Sequence, residues 1–248
     1  MIHSTNKLFT CFYPNPEASH RLFCFPSAGG DATLFRDWYQ YLPDTEVWGV
    51  TYPGRGVLAN TPPCDSFPEL AGLLAKELRD YQDKPVMFFG HSFGALISYE
   101  LALQNPLLNP QALFVSARRA PHLSDRHGFR HMNDQEVLEK LKSVNSIPLA
   151  IAESPEILEY YLKTIVSDLH LNETIIQSPD KLDTPVFIYA GLNDDFVHLQ
   201  EMEGWKSTST DIRNFQTFEG DHFFIVNCKD EFLDQLSLDV DSIQGIED

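Results

Sequence analysis

Residues 85–103 read PVMFFGHSFGALISYELAL, and inside them one serine, Ser92, stands between Gly90 and Gly94. Gly-x-Ser-x-Gly arises by chance in roughly one chain in ten of this length, so its surroundings carry the weight. Val86 to Phe89 is a short apolar run that reads as a buried strand, and Ala95 to Leu103 places apolar residues at helical spacing. Strand, sharp turn and helix in that order lift a serine, in strained backbone geometry, above the C-terminal edge of a sheet. The two glycines let neighbouring backbone close in on the turn. The bland alternative is a glycine-flanked turn with an incidental serine.

Outward from this stretch, further β-rich apolar runs stand at RLFCF (21–25), EVWGVTY (46–52), ALFVS (112–116) and VFIYA (186–190), with NFQTF (214–218) near the end. Helical patterns over Asp31–Leu42, Phe67–Tyr81 and Ala95–Gln104 separate them. Alternation of strand and helix predicts an α/β domain whose mostly parallel sheet is covered on both faces. Between about residues 120 and 181 the rhythm breaks: NDQEVLEKLKSV and SPEILEYYLKTIVSDL follow one another without a strand between them. This segment reads as a helical lid inserted into a single domain spanning 1–248. Extra helices on the sheet flank are the plainer alternative.

A length of 248 residues, 43% of them hydrophobic, suffices for a real core. No apolar leader and no run of about eighteen apolar residues appears, so a soluble, cytoplasmic protein is expected. The four cysteines are far apart and show neither metal nor disulfide spacing. A net charge of −18 argues against nucleic acid or an anionic membrane as partner. The closing DVDSIQGIED reads as an acidic, frayed tail.

A serine hydroxyl becomes a good nucleophile only beside a base that is itself held by a third group. His222, in FEGDHFFIV after the last strand, is the best-placed base, and the order Ser, Asp, His is that of α/β-hydrolases. The acid should leave the end of VFIYA, where GLNDD offers Asp194 and Asp195, and the residues alone do not separate the two. Two backbone N–H donors are needed for the oxyanion. Phe93 supplies one, and Ala28, in the FPSAGG loop after the first long strand, is the natural second.

With LFCFPSAGG, YPGRG, FFGHSFGA, SARRAP, FIYAGLNDD, EGW and GDHFF in this order, nearly the whole chain resembles the type II thioesterases of nonribosomal peptide and polyketide synthesis, within the α/β-hydrolase superfamily. The resemblance implies Ser92 as nucleophile, His222 as base and, by a Gly-x-x-Asp pattern, Asp194 as acid. It further implies acyl groups held as thioesters on the phosphopantetheine arm of a carrier protein, released by water in editing or product release. No metal or cofactor is implied, and a monomer is expected. Three positions depart from the family pattern. Ser27 stands where histidine is common, Asp221 where glycine is usual, and VSDL where an Arg-Ala-Asp stretch is common, which leaves lid contacts and acyl preference open. Asp221 is expected to tolerate a left-handed turn.

Residues 118–131, RRAPHLSDRHGFRH, concentrate Arg118, Arg119, Arg126 and Arg130 in an otherwise acidic chain. They are candidate contacts for a pantetheine phosphate or carrier carboxylates, against the alternative of an internally paired charge run. Rival functions are a medium-chain fatty acyl thioesterase, an esterase for small esters and, more remotely, a non-catalytic binding module on the same fold.

Overall fold

Neighbouring side chains on the central strands point into different cores. In the computed structural model, Val86 and Phe88 join one buried cluster while Met87 and Phe89 join another, and Leu113, Phe114 and Val115 alternate in the same way. This two-residue period with both faces buried is why the strands read as continuous apolar runs. The structure describes residues 7–123, 127–147, 149–172, 174–175 and 180–245, without the side chains of Arg130, Leu149, Ala150 and Gln244.

The strands are β1 (Phe9–Thr10), β2 (His20–Phe25), β3 (Thr45–Val50), β4 (Val86–His91), β5 (Leu113–Ser116), β6 (Val186–Gly191) and β7 (Ile212–Phe218). They form one sheet in the order β1-β3-β2-β4-β5-β6-β7. Among the described strands only β1 runs antiparallel to its neighbour, through Phe9 opposite Val50 and Thr10 opposite Gly49. The helices are α1 (Phe67–Leu78), α2 (Phe93–Gln104), α3 (Asp134–Ser143), α4 (Leu149–Ala152), α5 (Pro155–Asn172), α6 (Leu199–Glu203), α7 (Phe224–Asn227) and α8 (Lys229–Gln244). Leu70, Leu74 and Leu78 of α1 and Ile97 and Leu101 of α2 fill the core on one face. Phe232, Leu233, Leu236 and Val240 of α8 fill it on the other. This is the α/β-hydrolase fold.

Three local expectations need correction. Asp31–Leu42 holds two 3-10 turns, Ala32–Phe35 and Trp38–Gln40, and no α-helix. The Asp31 carboxylate accepts Thr33 N–H at 2.8 Å and starts the first turn, while tight packing of β3 under it, where a β-carbon on Gly49 would lie 2.8 Å from the Ala32 Cβ, leaves no room for a wider helix. The acidic C-terminal stretch is not frayed through residue 245. It continues α8, burying Val240 and Ile243, and the Asp239 carboxylate accepts Tyr189 O–H at 2.7 Å and Asn214 Nδ2–H at 3.1 Å. Asp221 does not adopt a left-handed backbone. Its Oδ1 accepts the Phe223 N–H at 2.8 Å and Asn227 Nδ2–H at 3.0 Å, so the carboxylate caps the turn leading into α7.

Among the described residues no helix is long and apolar enough to cross a membrane, and no group of histidine, cysteine, aspartate and glutamate could hold a metal ion.

Candidate active site

Ser92 begins where β4 ends. Its φ of 53° and ψ of −115° lie in the positive-φ region that non-glycine residues avoid, and its N–H is tied to Ser116 O of β5 at 2.8 Å. The turn closes because its neighbours lack side chains. A β-carbon on Gly94 would lie 2.0 Å from Phe25 O, and one on Gly90 would lie 2.4 Å from Ala95 Cα. Helix α2 therefore starts directly against the end of β2, and every residue from Phe93 to Ala102 is buried.

His222 follows β7 and Asp194 follows β6, so the three side chains come from strand ends on one edge of the sheet. His222 Nε2 lies 2.9 Å from Ser92 Oγ, and its Nδ1 lies 2.8 Å from Asp194 Oδ2. The second oxygen of Asp194 accepts the Phe196 and Val197 N–H groups, each at 2.8 Å. Burial by itself pushes this carboxyl up, but the charge of His222, its hydrogen bond and the two backbone N–H groups together hold it below the ordinary value of 3.8. Asp195 points elsewhere, toward Asn145 Nδ2 at 3.4 Å. Phe196 and Phe223 set their rings edge-on to the imidazole at 5.0 and 5.2 Å between centroids, which fixes its plane.

A cavity of about 280 Å³ opens beside Ser92 and His222. Its lining includes the Ser27–Gly30 turn with Ala28 and an apolar set from the helices: Leu141 of α3, Ile151 of α4, and Ile165 and Leu169 of α5. Phe93 is the first residue of α2, so its N–H has no acceptor within the helix, and among the described residues the Ala28 N–H has no protein acceptor either. A hydroxyl bonded to an imidazole whose far nitrogen meets a buried carboxylate can give up its proton on attacking a carbonyl. Two free N–H groups beside it can hold the resulting oxyanion.

The arginine cluster divides. Arg118 and Arg119 are buried, at 8% and 5% exposure, so neither presents its guanidinium to a docking protein. Arg118 Nη2 donates to Asn172 Oδ1 at 2.8 Å and Arg118 O accepts the Trp205 Nε1–H, which ties SARRAP to the end of α5 and to EGW as framework. Arg126 and the side chain of Arg130 lie outside the described residues.

Sequence reasoning missed two groups at the site. His91, immediately before Ser92, is fully buried with its Nδ1 3.0 Å from Ser116 Oγ and its ring 5.4 Å from that of His222. Burial, reinforced by the charge of His222, keeps it far below the usual histidine range and so neutral. Arg55 and Asp168 form a buried ion pair between the loop after β3 and α5. The signal was present in YPGRG and VSDL, but nothing in the spacing pairs residues so far apart.

None of the four cysteines lines the cavity. Burial first, then nearby carboxylates, pushes the Cys11 thiol up to about 12 and that of Cys64 to about 11. Burial also raises Cys24 and Cys228.

The profile of the thioesterase domain matches residues 20–239. The gramicidin S biosynthesis protein GrsT of Aneurinibacillus migulanus is 30% identical over 239 residues, covering 94% of this chain and 93% of that protein. The medium-chain S-acyl fatty acid synthase thioesterase of Rattus norvegicus is 29% identical, covering 91% and 89%. The solved structure of the type II thioesterase BorB from the borrelidin biosynthetic cluster superposes with a TM-score of 0.83 at 29% identity, covering 93% of this chain and 96% of that one. Because the profile match runs from the first long strand through His222 and into the final helix, the chain belongs to the thioesterase family.

Proposed function

We propose that this thioesterase hydrolyses acyl groups from the phosphopantetheine arm of a carrier protein, as an editing or releasing enzyme of nonribosomal peptide or polyketide synthesis. The observation that carries the chemistry is the hydrogen-bonded line from Ser92 through His222 to Asp194, at 2.9 and 2.8 Å, opening on an apolar cavity. His222 Nε2 takes the Ser92 proton as Oγ forms a bond to the thioester carbonyl carbon. Phe93 and Ala28 N–H groups hold the oxyanion. The C–S bond then breaks, and the thiol leaves with the proton from His222. Water enters, gives a proton to the same nitrogen and attacks the acyl-serine. The C–Oγ bond breaks, the proton returns to Ser92 and the free acid departs. Throughout, Asp194 keeps the imidazole oriented and stabilises its charged form.

Helices α3 to α5 act as a lid: their apolar side chains line the cavity that also holds Ser92 and receive the acyl chain. Similarity to biosynthetic type II thioesterases supports a carrier-bound substrate. Similarity to a medium-chain fatty acid synthase thioesterase favours, as a second reading, a plain fatty acyl thioester. The two separate by rate. One acyl group presented on a carrier protein, on coenzyme A and as a simple ester should be hydrolysed with the highest kcat/KM on the carrier, through binding energy remote from the carbonyl. Equal values on carrier and coenzyme A would favour the second reading. Mass spectrometry of the trapped intermediate should find the acyl group on the Ser92 peptide, and Ser92→Ala should abolish both the adduct and turnover.

A further inference from the structure

A carboxylate from the lid reaches the turn that carries Ala28. Ser27 to Gly30 form a four-residue turn closed by Gly30 N–H to Ser27 O at 2.9 Å, with Gly29 at φ 76° in third place. That is the type II signature, and rotation of the central Ala28–Gly29 peptide is what distinguishes it from type I. The N–H of this peptide donates to Asp168 Oδ2 of α5 at 2.8 Å, 139 positions along the chain. Asp168 is clamped in turn. Arg55 Nη2 donates to its Oδ1 at 2.6 Å, and Nη1 donates to its Oδ2. Both residues are buried, at 3% and 2% exposure. A second contact comes from the same helix: a β-carbon on Gly29 would lie 2.4 Å from Ile165 Cγ1, so only glycine fits beneath α5.

A buried ion pair alone says little about stability, because desolvation offsets the attraction. This pair differs in that its carboxylate also accepts a backbone N–H in the wall of the cavity that holds Ser92. We propose that Asp168, clamped by Arg55, is a positioning residue that holds the Ser27–Gly30 turn so that the Ala28 N–H faces the oxyanion. Seating of the lid helix and competence of the oxyanion hole then become one event. The inference rests on Ala28 being an oxyanion donor.

The test is the double variant Arg55→Met with Asp168→Leu, which substitutes apolar groups for the ion pair, a change buried pairs tolerate, and removes the acceptor for Gly29 N–H. Thermal melting checks that it folds. Loss of a whole oxyanion donor costs on the order of 10²–10³ in kcat, so a mis-aimed one should lower kcat about 10- to 100-fold with KM within about threefold. Affinity for an acyl trifluoromethyl ketone, which forms a tetrahedral adduct on Ser92, should fall by the same factor while a non-hydrolysable acyl-pantetheine amide binds as before. A folded double variant with wild-type kcat overturns the proposal, as does equal weakening of ketone and amide. Should that variant not fold, Asp168→Asn decides. It keeps an oxygen for Gly29 but loses the charge, and kcat should fall about threefold to tenfold with amide affinity unchanged; an unchanged kcat overturns the proposal. Persistent turnover in Ser92→Ala would instead remove the underlying mechanism, a result distinct from either.

Discussion

Ser92 holds a φ that costs on the order of 1–3 kcal/mol for a non-glycine residue, and the surrounding turn supplies the compensation. Its hydroxyl and the late histidine were legible because each sits in an unusual local context. The acid was not legible from its own residues, since Asp194 and Asp195 are neighbours of one type, and family likeness favoured Asp194. The geometry accounts for that choice: Asp194 spends one oxygen on the loop backbone and the other on His222, whereas Asp195 faces Asn145. Asp194→Asn should therefore lower kcat by about 10⁴-fold through the wrong imidazole tautomer, with Asp195→Asn within about threefold of wild type. Steady-state kinetics on one acyl thioester checks the ranking, and the reverse order refutes it. Stability should follow the same residue. The Asp194 carboxyl titrates below its ordinary 3.8 in the folded state, so its contribution is complete above that value and is lost as pH falls through the lowered one. The difference in Tm between wild type and Asp194→Asn should shrink as pH drops below 3.8, and a difference that grows would contradict the assignment.

The elements most readable in sequence were the central strands, because burial of both faces leaves an uninterrupted apolar run, and the strand-turn-helix around Ser92. The elements misread were those whose conformation depends on distant packing. Residues 31–42 carry helical spacing, yet the approach of Gly49 beneath Ala32 enforces tight 3-10 turns. The two residues of β1 are too few to show any period and are ordered by pairing with β3 and by the packing of Phe9 on Phe23 and Tyr81. In α8 the acidic residues between Leu236 and Ile243 hid the apolar stripe, and the anchoring of Asp239 to Tyr189 and Asn214 is a contact across 50 and 25 positions. Deleting residues 239–248 should cost about 3–6 kcal/mol, from burial of Val240 and Ile243 at roughly 1.5–3 kcal/mol each. Urea unfolding of the shortened chain measures it, and a loss under about 1 kcal/mol would mean the tail adds nothing to the core.

Across the whole molecule, the strand order could not be read from single segments, because each neighbour relation in the sheet joins residues far apart in sequence; alternation alone gave the parallel sheet and its two covered faces. Charge acts at this scale as well. A net −18 destabilises the compact state by self-repulsion. Raising salt shrinks the Debye length from about 30 Å at 0.01 M to about 8 Å at 0.15 M, so Tm should rise over that range. A falling Tm would show that exposed ion pairs such as Arg213–Asp211 and Lys206–Glu203, which salt screens, outweigh the repulsion. The raised cysteines have a different consequence. A thioesterase works among thiols, those of its substrate before the reaction and those it liberates afterward. Exchange with a thioester or a disulfide requires a thiolate, and with pKa values of about 12 and 11 the Cys11 and Cys64 thiolates amount to on the order of 10⁻⁵ and 10⁻⁴ of each site at pH 7. Neither thiol lines the cavity, so an acyl chain on Ser92 meets water as its acceptor rather than Cys11 or Cys64, and the thioester is not diverted onto a sulfur of the protein at either position.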